Sequence, residues 1–450
     1  MVQVLKESAI EWIGLFPSDW AITRIKNLAL DMQRGAQPQY AEATNFFIAN
    51  QACLSTYRFR AEKRKECESL SGKKGRYKLN DILIASTGEG VLGKCVLADH
   101  QGFSDSHVSI LRLKASHSPA FLTYFLTVNY ELVNSFYAKG STKQTELQRD
   151  QFLAHSIAIP SYAQQRRIAT WLDLQTTRID KRRELIARKR ELLRDLRSNL
   201  VGETLASGLH GQETESTGLA DLPALPFGWQ ATHTKRLLRF ITSGSRGWAE
   251  YYAEAGDIFL RIGNLTRETL DLDLSDMKYV ALPAKAAEGK RTRLRVGDML
   301  VSITADLGSI AIVPVLDKPA YVSQHIALCR PKEGVHPRWL GYAMVSPQAK
   351  RQLMNSGYGG TKIQLSLDDV RNVWLAVPPL AEQIEIADFL DQRLSKIARQ
   401  ITLIDQLDEL LKQQRKALIH EAVTGKIDLS QESRFQKGVR MTRFGGTLPN

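Results

Sequence analysis

Two stretches of the chain carry an apolar residue at every seventh position. In the first, Leu172, Ile179, Ile186, Leu193 and Leu200 follow in heptad steps, supported by Ile168 and Leu196. In the second, Leu390, Ile397, Ile404, Leu411 and Leu418 do the same, supported by Ile386 and Ile401. A sustained seven-residue period of Leu and Ile predicts a long helix with a coiled-coil seam. No proline or glycine breaks the two stripes, and Gly202 and Gly425 follow as expected stops. A helix of roughly 36 residues would span about 54 Å. Lys189, between Leu185 and Leu192, predicts a seam that is partly wet at its middle. Leaving such residues in water costs ~1.5–3 kcal/mol each, so ten of them would outweigh a typical domain's stability. The two stripes are therefore expected to pack on each other; the competing arrangement packs each helix on its own globule.

The stretches ahead of these helices are different. Short β-rich runs, Asp81 to Ser86, His107 to Arg112, Asp298 to Ile303 and His325 to Leu328, alternate with helical stretches from Pro119 to Tyr137 and from Pro337 to Met354. That mixture predicts an α/β globule with a curved sheet.

The chain is also written twice. Ile159-Pro-Ser-Tyr-Ala-Gln-Gln165 reads like Val377-Pro-Pro-Leu-Ala-Glu-Gln383, at an offset of 218 residues. Asp81 matches Asp298, His107 matches His325, and Gly140-Ser-Thr-Lys143 matches Gly359-Gly-Thr-Lys362. Each half opens on Pro-x-x-Trp, at Pro17 to Trp20 and Pro226 to Trp229. Matches in one consistent order mean a duplication. The expected layout is a globule over 1–158, a helix region over 159–212, a second globule over 213–376, a second helix region over 377–430, and a basic tail over 431–450.

Composition narrows the class without deciding it. The formal charge is +13, and a basic protein of this size often meets nucleic acid, although a basic surface without a polyanionic partner is an equal alternative. The cysteines, Cys53, Cys67, Cys95 and Cys329, lack CxxC spacing, which argues against a zinc site or a disulfide framework. No run approaches the ~18 apolar residues of a membrane span, and the start has no secretory pattern, so a cytoplasmic protein is expected.

Taken with the lead-in Ile10-Glu-Trp-Ile-Gly-Leu-Phe-Pro-Ser-Asp-Trp20, the Ala-Gln-Gln and Ala-Glu-Gln helix leads, and the helix exits Leu200 to Gly208 and Leu418 to Ile427, this layout resembles the specificity subunits of type I restriction-modification systems. The likeness reaches to about residue 430; the second lead-in, Leu222 to Trp229, keeps only Pro-x-x-Trp. The resemblance implies an internal pseudo-two-fold repeat, with two target-recognition domains and two long antiparallel coiled-coil helices. Each domain would read half of a split site in double-stranded DNA. The helices would set the gap and dock two methyltransferase subunits, and motor-nuclease subunits would complete the assembly. The chain itself would be non-catalytic. Adenosylmethionine, ATP and magnesium would belong to the partner subunits. The alternatives are a coiled-coil scaffold without a DNA role and a P-loop nucleotide hydrolase.

Candidate DNA contacts follow from chemistry at matching places. The loop from Arg34 through Gln37 to Tyr40 and the loop carrying Ser245 and Arg246 offer groups able to reach base edges. Lys73, Lys74 and Arg76, with Lys290, Arg291 and Arg293, look like phosphate contacts or a solvated charged loop. Thr142, Lys143, Thr361 and Lys362 sit in glycine loops that either meet phosphates or simply form tight turns. Gly88 to Lys94 fits G-x-x-x-x-G-K, but Cys95 stands where a P-loop needs Ser or Thr. His107 and His325, inside apolar strand contexts, read as satisfied core or structural histidines rather than ligands or bases.

Overall fold

The computed structural model describes residues 4–10, 13–55, 58–70, 74–88, 90–131, 138–139, 146–282, 291–304, 307–355 and 364–429. The chain forms two compact units, one of Met1–Glu184 with Asp408–Asn450, the other of Leu185–Leu407. Each takes a segment from both long helices.

In the first unit, a hairpin of Leu5–Glu7 and Leu15–Pro17 precedes Trp20. Strand Ala21–Arg24 then pairs antiparallel with Ser156–Ile159, which leads into the long helix. The main sheet has the order Cys95–Leu97, Ile82–Ala85, Val108–Leu113, Ala29–Arg34, all antiparallel. Ile82–Ala85 is apolar throughout because both its faces are covered. Ile82 and Ile84 pack with Phe121, Leu122 and Phe125 from helix Pro119–Val128, whereas Leu83 and Ala85 pack with Val96 and Ile110. A second sheet, Lys65–Glu66, Phe47–Ala49, Gly102–Ser104, Arg76–Tyr77, contains one parallel pair, Phe47–Ala49 with Gly102–Ser104.

The second unit repeats the plan. Hairpin Thr214–Leu219 with Leu222–Pro226 precedes Trp229, and Gln230–His233 pairs with Trp374–Val377 ahead of the other long helix. The main sheet is Leu238–Ser243, Ile326–Pro331, Met299–Ser302, Ile310–Ile312. The second sheet again holds one parallel pair, Asp257–Leu260 with Ala320–Val322. Where the sequence suggests one helix from Pro337 to Met354, the structure has two, Pro337–Val345 and Pro347–Asn355. Pro347 has no N–H to continue the first helix and holds Ser346 extended, with ψ at 152°.

The long helices run Tyr162–Ser207 and Leu380–Val423, 46 and 44 residues, and so measure about 69 and 66 Å. Both exceed the expected 36 residues because they begin ahead of the heptad stripes, at Tyr162 and Leu380, and the first also runs past Gly202. The helix continues through it, and its bare Cα lets Pro347 approach, since a Cβ there would lie 3.3 Å from the Pro347 ring. The stop is Gly208, with φ at +68°. Gly425, with φ at +75°, ends the second as expected.

The heptad seam forms within each unit. In the first, Leu172, Ile179 and Leu411 are buried, and Ile168 and Leu172 share a core with Ile419, Ala422 and Val423. In the second, Leu193, Leu390, Ile397, Ile401 and Ile404 share a core that Ile386 also joins. Ile186, Leu200 and Leu418 are half-buried. The helix segments thus pack on one another and on a globule at once. Their antiparallel sense shows in the ion pairs: Arg415 meets Asp180 at 3.1 Å, and Arg183 meets Asp408 at 2.7 Å. Arg190 and Asp405 pair similarly in the second unit at 2.6 Å.

Two expectations for the seam are corrected. Leu196 does not support it but is 53% exposed, and Leu185 and Leu192 face outward with it. Those two precede seam positions by one residue, a rotation of about 100°. Lys189 lies in their outward row, so the seam is edged by Arg–Asp pairs and is not opened by a lysine.

The repeated glutamine of the helix leads has a physical role. Gln165 accepts from the Ser118 N–H at 2.8 Å and donates to the Pro160 carbonyl at 2.9 Å. Gln383 accepts from the His336 N–H at 2.8 Å and donates to the Pro378 carbonyl at 2.9 Å. Each buried amide therefore ties a long helix to the N-terminus of the short helix behind the main sheet.

Candidate nucleic-acid interface

In each unit the loop leaving the first strand of the main sheet crosses onto the second sheet. The crossing admits only glycine. A Cβ on Gly35 would lie 1.9 Å from the Asp105 carbonyl oxygen, and one on Gly244 would lie 2.2 Å from those of Val322 and Ser323. Ala36 then bridges to Asp105, and Ser245 to Ser323, in the same parallel sense.

This crossing brings the two candidate loops of each half together. In the first unit Gly75, with φ at +75°, packs against the Ala36 backbone, which places exposed Lys74 and Arg76 beside exposed Gln37. In the second, Arg291 donates to the Thr242 hydroxyl at 2.7 Å, and Thr292 bonds Ser245, the residue before exposed Arg246. Arg76 stands in register with Phe103, and Arg293 with Tyr321, so these two arginines are structural equivalents. Lys73, Thr142, Lys143, Lys290, Thr361 and Lys362 lie outside the described residues.

Other side chains differ between the units. Arg34 donates from Nε to the Ser106 carbonyl at 2.7 Å and pairs with Glu146. Tyr40 is half-exposed, with Lys65 5.0 Å from its ring centre and its hydroxyl donating to buried Asp105 at 3.1 Å. Burial, then Asp105, pushes the Tyr40 phenol up to about 12, so it stays a donor; burial also raises the Asp105 carboxyl. In the second unit the equivalent ground is apolar: Trp248 lies 5.7 Å from Phe259 and 5.3 Å from Tyr321, centre to centre. Ser245 is corrected here. It is 2% exposed and its hydroxyl bonds the Thr292 hydroxyl at 2.8 Å, so it braces the loop and offers nothing to a ligand.

A buried aspartate explains the repeated strand motif. Asp81 accepts from the Lys78 N–H at 2.7 Å and from Arg112 Nε at 2.8 Å; Asp298 does the same with Arg295 and Arg330 at 2.7 and 2.8 Å. The G-x-x-x-x-G-K stretch lies between antiparallel strands Ile82–Ala85 and Cys95–Leu97, the second of which follows its lysine directly. No helix N-terminus follows it, so it lacks the phosphate cradle of a P-loop. His107 and His325 are not core residues. Both are exposed at the turn residue just before a strand, and both bond a threonine through Nδ1, Thr87 at 2.6 Å and Thr304 at 3.0 Å. The repeat itself was the available signal; the apolar residues following each histidine obscured it.

Among the described residues, no group of three or more His, Cys, Asp or Glu is placed to hold a metal ion, and no helix is long and apolar enough to cross a membrane.

Each unit thus joins a glycine-built sheet crossing that presents cations to segments of the heptad-paired long helices. The family described as type I restriction modification DNA specificity domain matches residues 17–190 and 283–412, and the chain belongs to it. The MjaVIII type I restriction enzyme specificity subunit of Methanocaldococcus jannaschii is 22% identical over 441 residues, 94% of this chain and 96% of the relative. The EcoBI specificity subunit of Escherichia coli is 31% identical over 85 residues, and that match spans only 18% of the relative's length. A structure solved in work on complex assembly and conformational transition of the type I restriction-modification system shares the fold, with a TM-score of 0.67 at 18% identity over 92% of this chain and 99% of that one.

Proposed function

We propose that this chain is a DNA-reading specificity subunit whose two units each read one half of a split site. The observation that carries the reading is the duplicated crossing. The same glycine geometry sets Arg76 and Arg293 at equivalent places, while the neighbouring side chains have diverged. Repeated cations serve the phosphates, which look alike at every site, and divergent neighbours serve two different half-sites. The chain performs no chemistry itself. Two methyltransferase subunits dock on it and carry adenosylmethionine, and motor-nuclease subunits bring ATP and magnesium, in the cytoplasm. The heptad-paired helices hold the half-site readers at a set separation.

Methylome sequencing of a host with and without the chain tests this reading. The expected result is a bipartite methylated motif that disappears with the chain; an unchanged methylome would overturn it. The spacing claim has its own test. Four residues inserted after Lys189 and four after Leu407 lengthen each helix by about 6 Å. The gap in the motif is expected to grow by one or two base pairs at a rise of ~3.4 Å each, with both half-site sequences unchanged. An altered half-site would contradict it.

A further inference from the structure

We propose that His107 and His325 each read one base, through an imidazole edge held outward by the threonine beside it. The inference deepens the DNA-reading function proposed above and rests on it. The two histidines are built in by the same three bonds. Their own carbonyls accept from the Ser86 and Ile303 N–H groups at 2.9 and 3.1 Å. Their Nδ1 atoms meet the Thr87 and Thr304 hydroxyls. The residue after each accepts from a crossing glycine: Val108 from the Gly35 N–H at 2.9 Å and Ile326 from the Gly244 N–H at 3.0 Å. Each ring is thus fixed at the crossing where the candidate DNA contacts gather, yet stays exposed. A histidine needed only for packing would be buried.

One arrangement of the ring protons, Nδ1–H, fits the neighbouring groups in both units and is the one we assign. The Thr87 hydroxyl lies 2.6 Å from His107 Nδ1 and 3.5 Å from Gln51 Oε1. In the second unit the Thr304 hydroxyl lies 3.0 Å from His325 Nδ1, and the Gln324 amide nitrogen 3.3 Å from Nε2. With that tautomer both rings present Nε2 as an acceptor. The major groove offers two matching donors, the exocyclic amines of adenine N6 and cytosine N4, and neither guanine nor thymine shows a donor there. The inferred ligand is one such amine in each half-site. On binding, the weak Gln324 contact gives way to the base.

The test uses the full chain with its methyltransferase partner, scored by methylome sequencing and by binding to duplexes changed one base pair at a time. His107→Ala is expected to relax one position in one half-site by about tenfold, the size of one hydrogen bond. His325→Ala is expected to do the same in the other half-site only. His107→Asn separates reading from bracing, because its amide occupies the place of Nδ1 and keeps the Thr87 bond but supplies nothing at Nε2. His107→Gln places its amide near Nε2. Reading predicts that Asn behaves like Ala and that Gln retains part of the discrimination, and these two polar variants carry the test if the alanine variants fail to fold. Normal recognition in the Asn variant would overturn the assignment by making the ring a brace. Uniform weakening with an unchanged motif would overturn it by making the contact a phosphate. Wild-type recognition of a bipartite site beside unaffected histidine variants would sink the assignment alone, whereas a wild-type complex that binds no DNA would remove the DNA reading with it.

Discussion

The two crossings share a frame and differ in the side chains packed around it. In the first unit a polar cluster surrounds the crossing: Tyr40 on Asp105, Lys65 over the Tyr40 ring, and Arg34 held by Glu146. In the second, Ser245 is buried on Thr292, and Trp248 stacks into an aromatic group with Phe259 and Tyr321. Beneath both lie the same glycine, the same Asp–Arg pair and the same glutamine tie. After duplication, the positions that resisted change are those whose loss leaves a buried polar group unpaired or forces backbones into one another. Such positions carry the frame. The divergence around the crossings is of two kinds: exposed groups such as Tyr40 and Arg34 in the first unit, and a buried repacking around Trp248 in the second.

The comparison breaks most sharply at the crossing glycines. Gly35→Ala and Gly244→Ala are each expected to cost about 3 kcal/mol, because the new methyl meets backbone oxygens that cannot rotate away. Thermal unfolding of each variant checks this, with Gly263→Ala, which has open space at its Cβ, as the control that should barely move. Equal losses at Gly35 and Gly244 would support a shared frame; a loss at one alone would mean that the repeat is only superficial. The glutamine ties come next. Gln165→Ala and Gln383→Ala each strand a buried N–H and a carbonyl, with an expected cost of about 2 kcal/mol apiece. Chemical denaturation should show it as a lower midpoint. The smallest effect sharpens the functional side: Arg76→Ala and Arg293→Ala are each expected to reduce the slope of log K against log salt by ~0.9 and to leave the recognised sequence intact. A changed motif would make those arginines base readers.

Much of this architecture was legible from residue periodicity. The ten seam residues are buried or half-buried, and the paired strands around Ile82 and Met299 fall where β-rich runs stood in the sequence. The length of the first helix was not legible, because glycine usually signals an end, whereas Gly202 sits inside the helix facing Pro347. Nor was the outward turn of Leu185, Leu192 and Leu196, since which apolar row faces inward depends on where the partner helix lies. At the crossing, Arg76 and Arg293 could be anticipated from charge and repetition. The burial of Ser245 could not, because it depends on Thr292, 47 residues away in sequence. His107 and His325 were misplaced for a local reason. Each stands one residue ahead of its strand, and a strand's pattern gives no account of the residue that introduces it.

The division of the chain sets an order of assembly during synthesis. The second unit, Leu185–Leu407, is continuous and is complete before the first, whose core also needs Ile419, Ala422 and Val423. A ribosome adding 5–20 residues per second needs roughly ten to forty-five seconds to make the intervening stretch. For that interval the N-terminal globule has an uncovered apolar surface, beside Leu172, that only the closing helix can fill. The unit begun before the other is therefore finished after it, and nascent chains stalled before helix Leu380–Val423 should be the ones that chaperones hold and proteases cut.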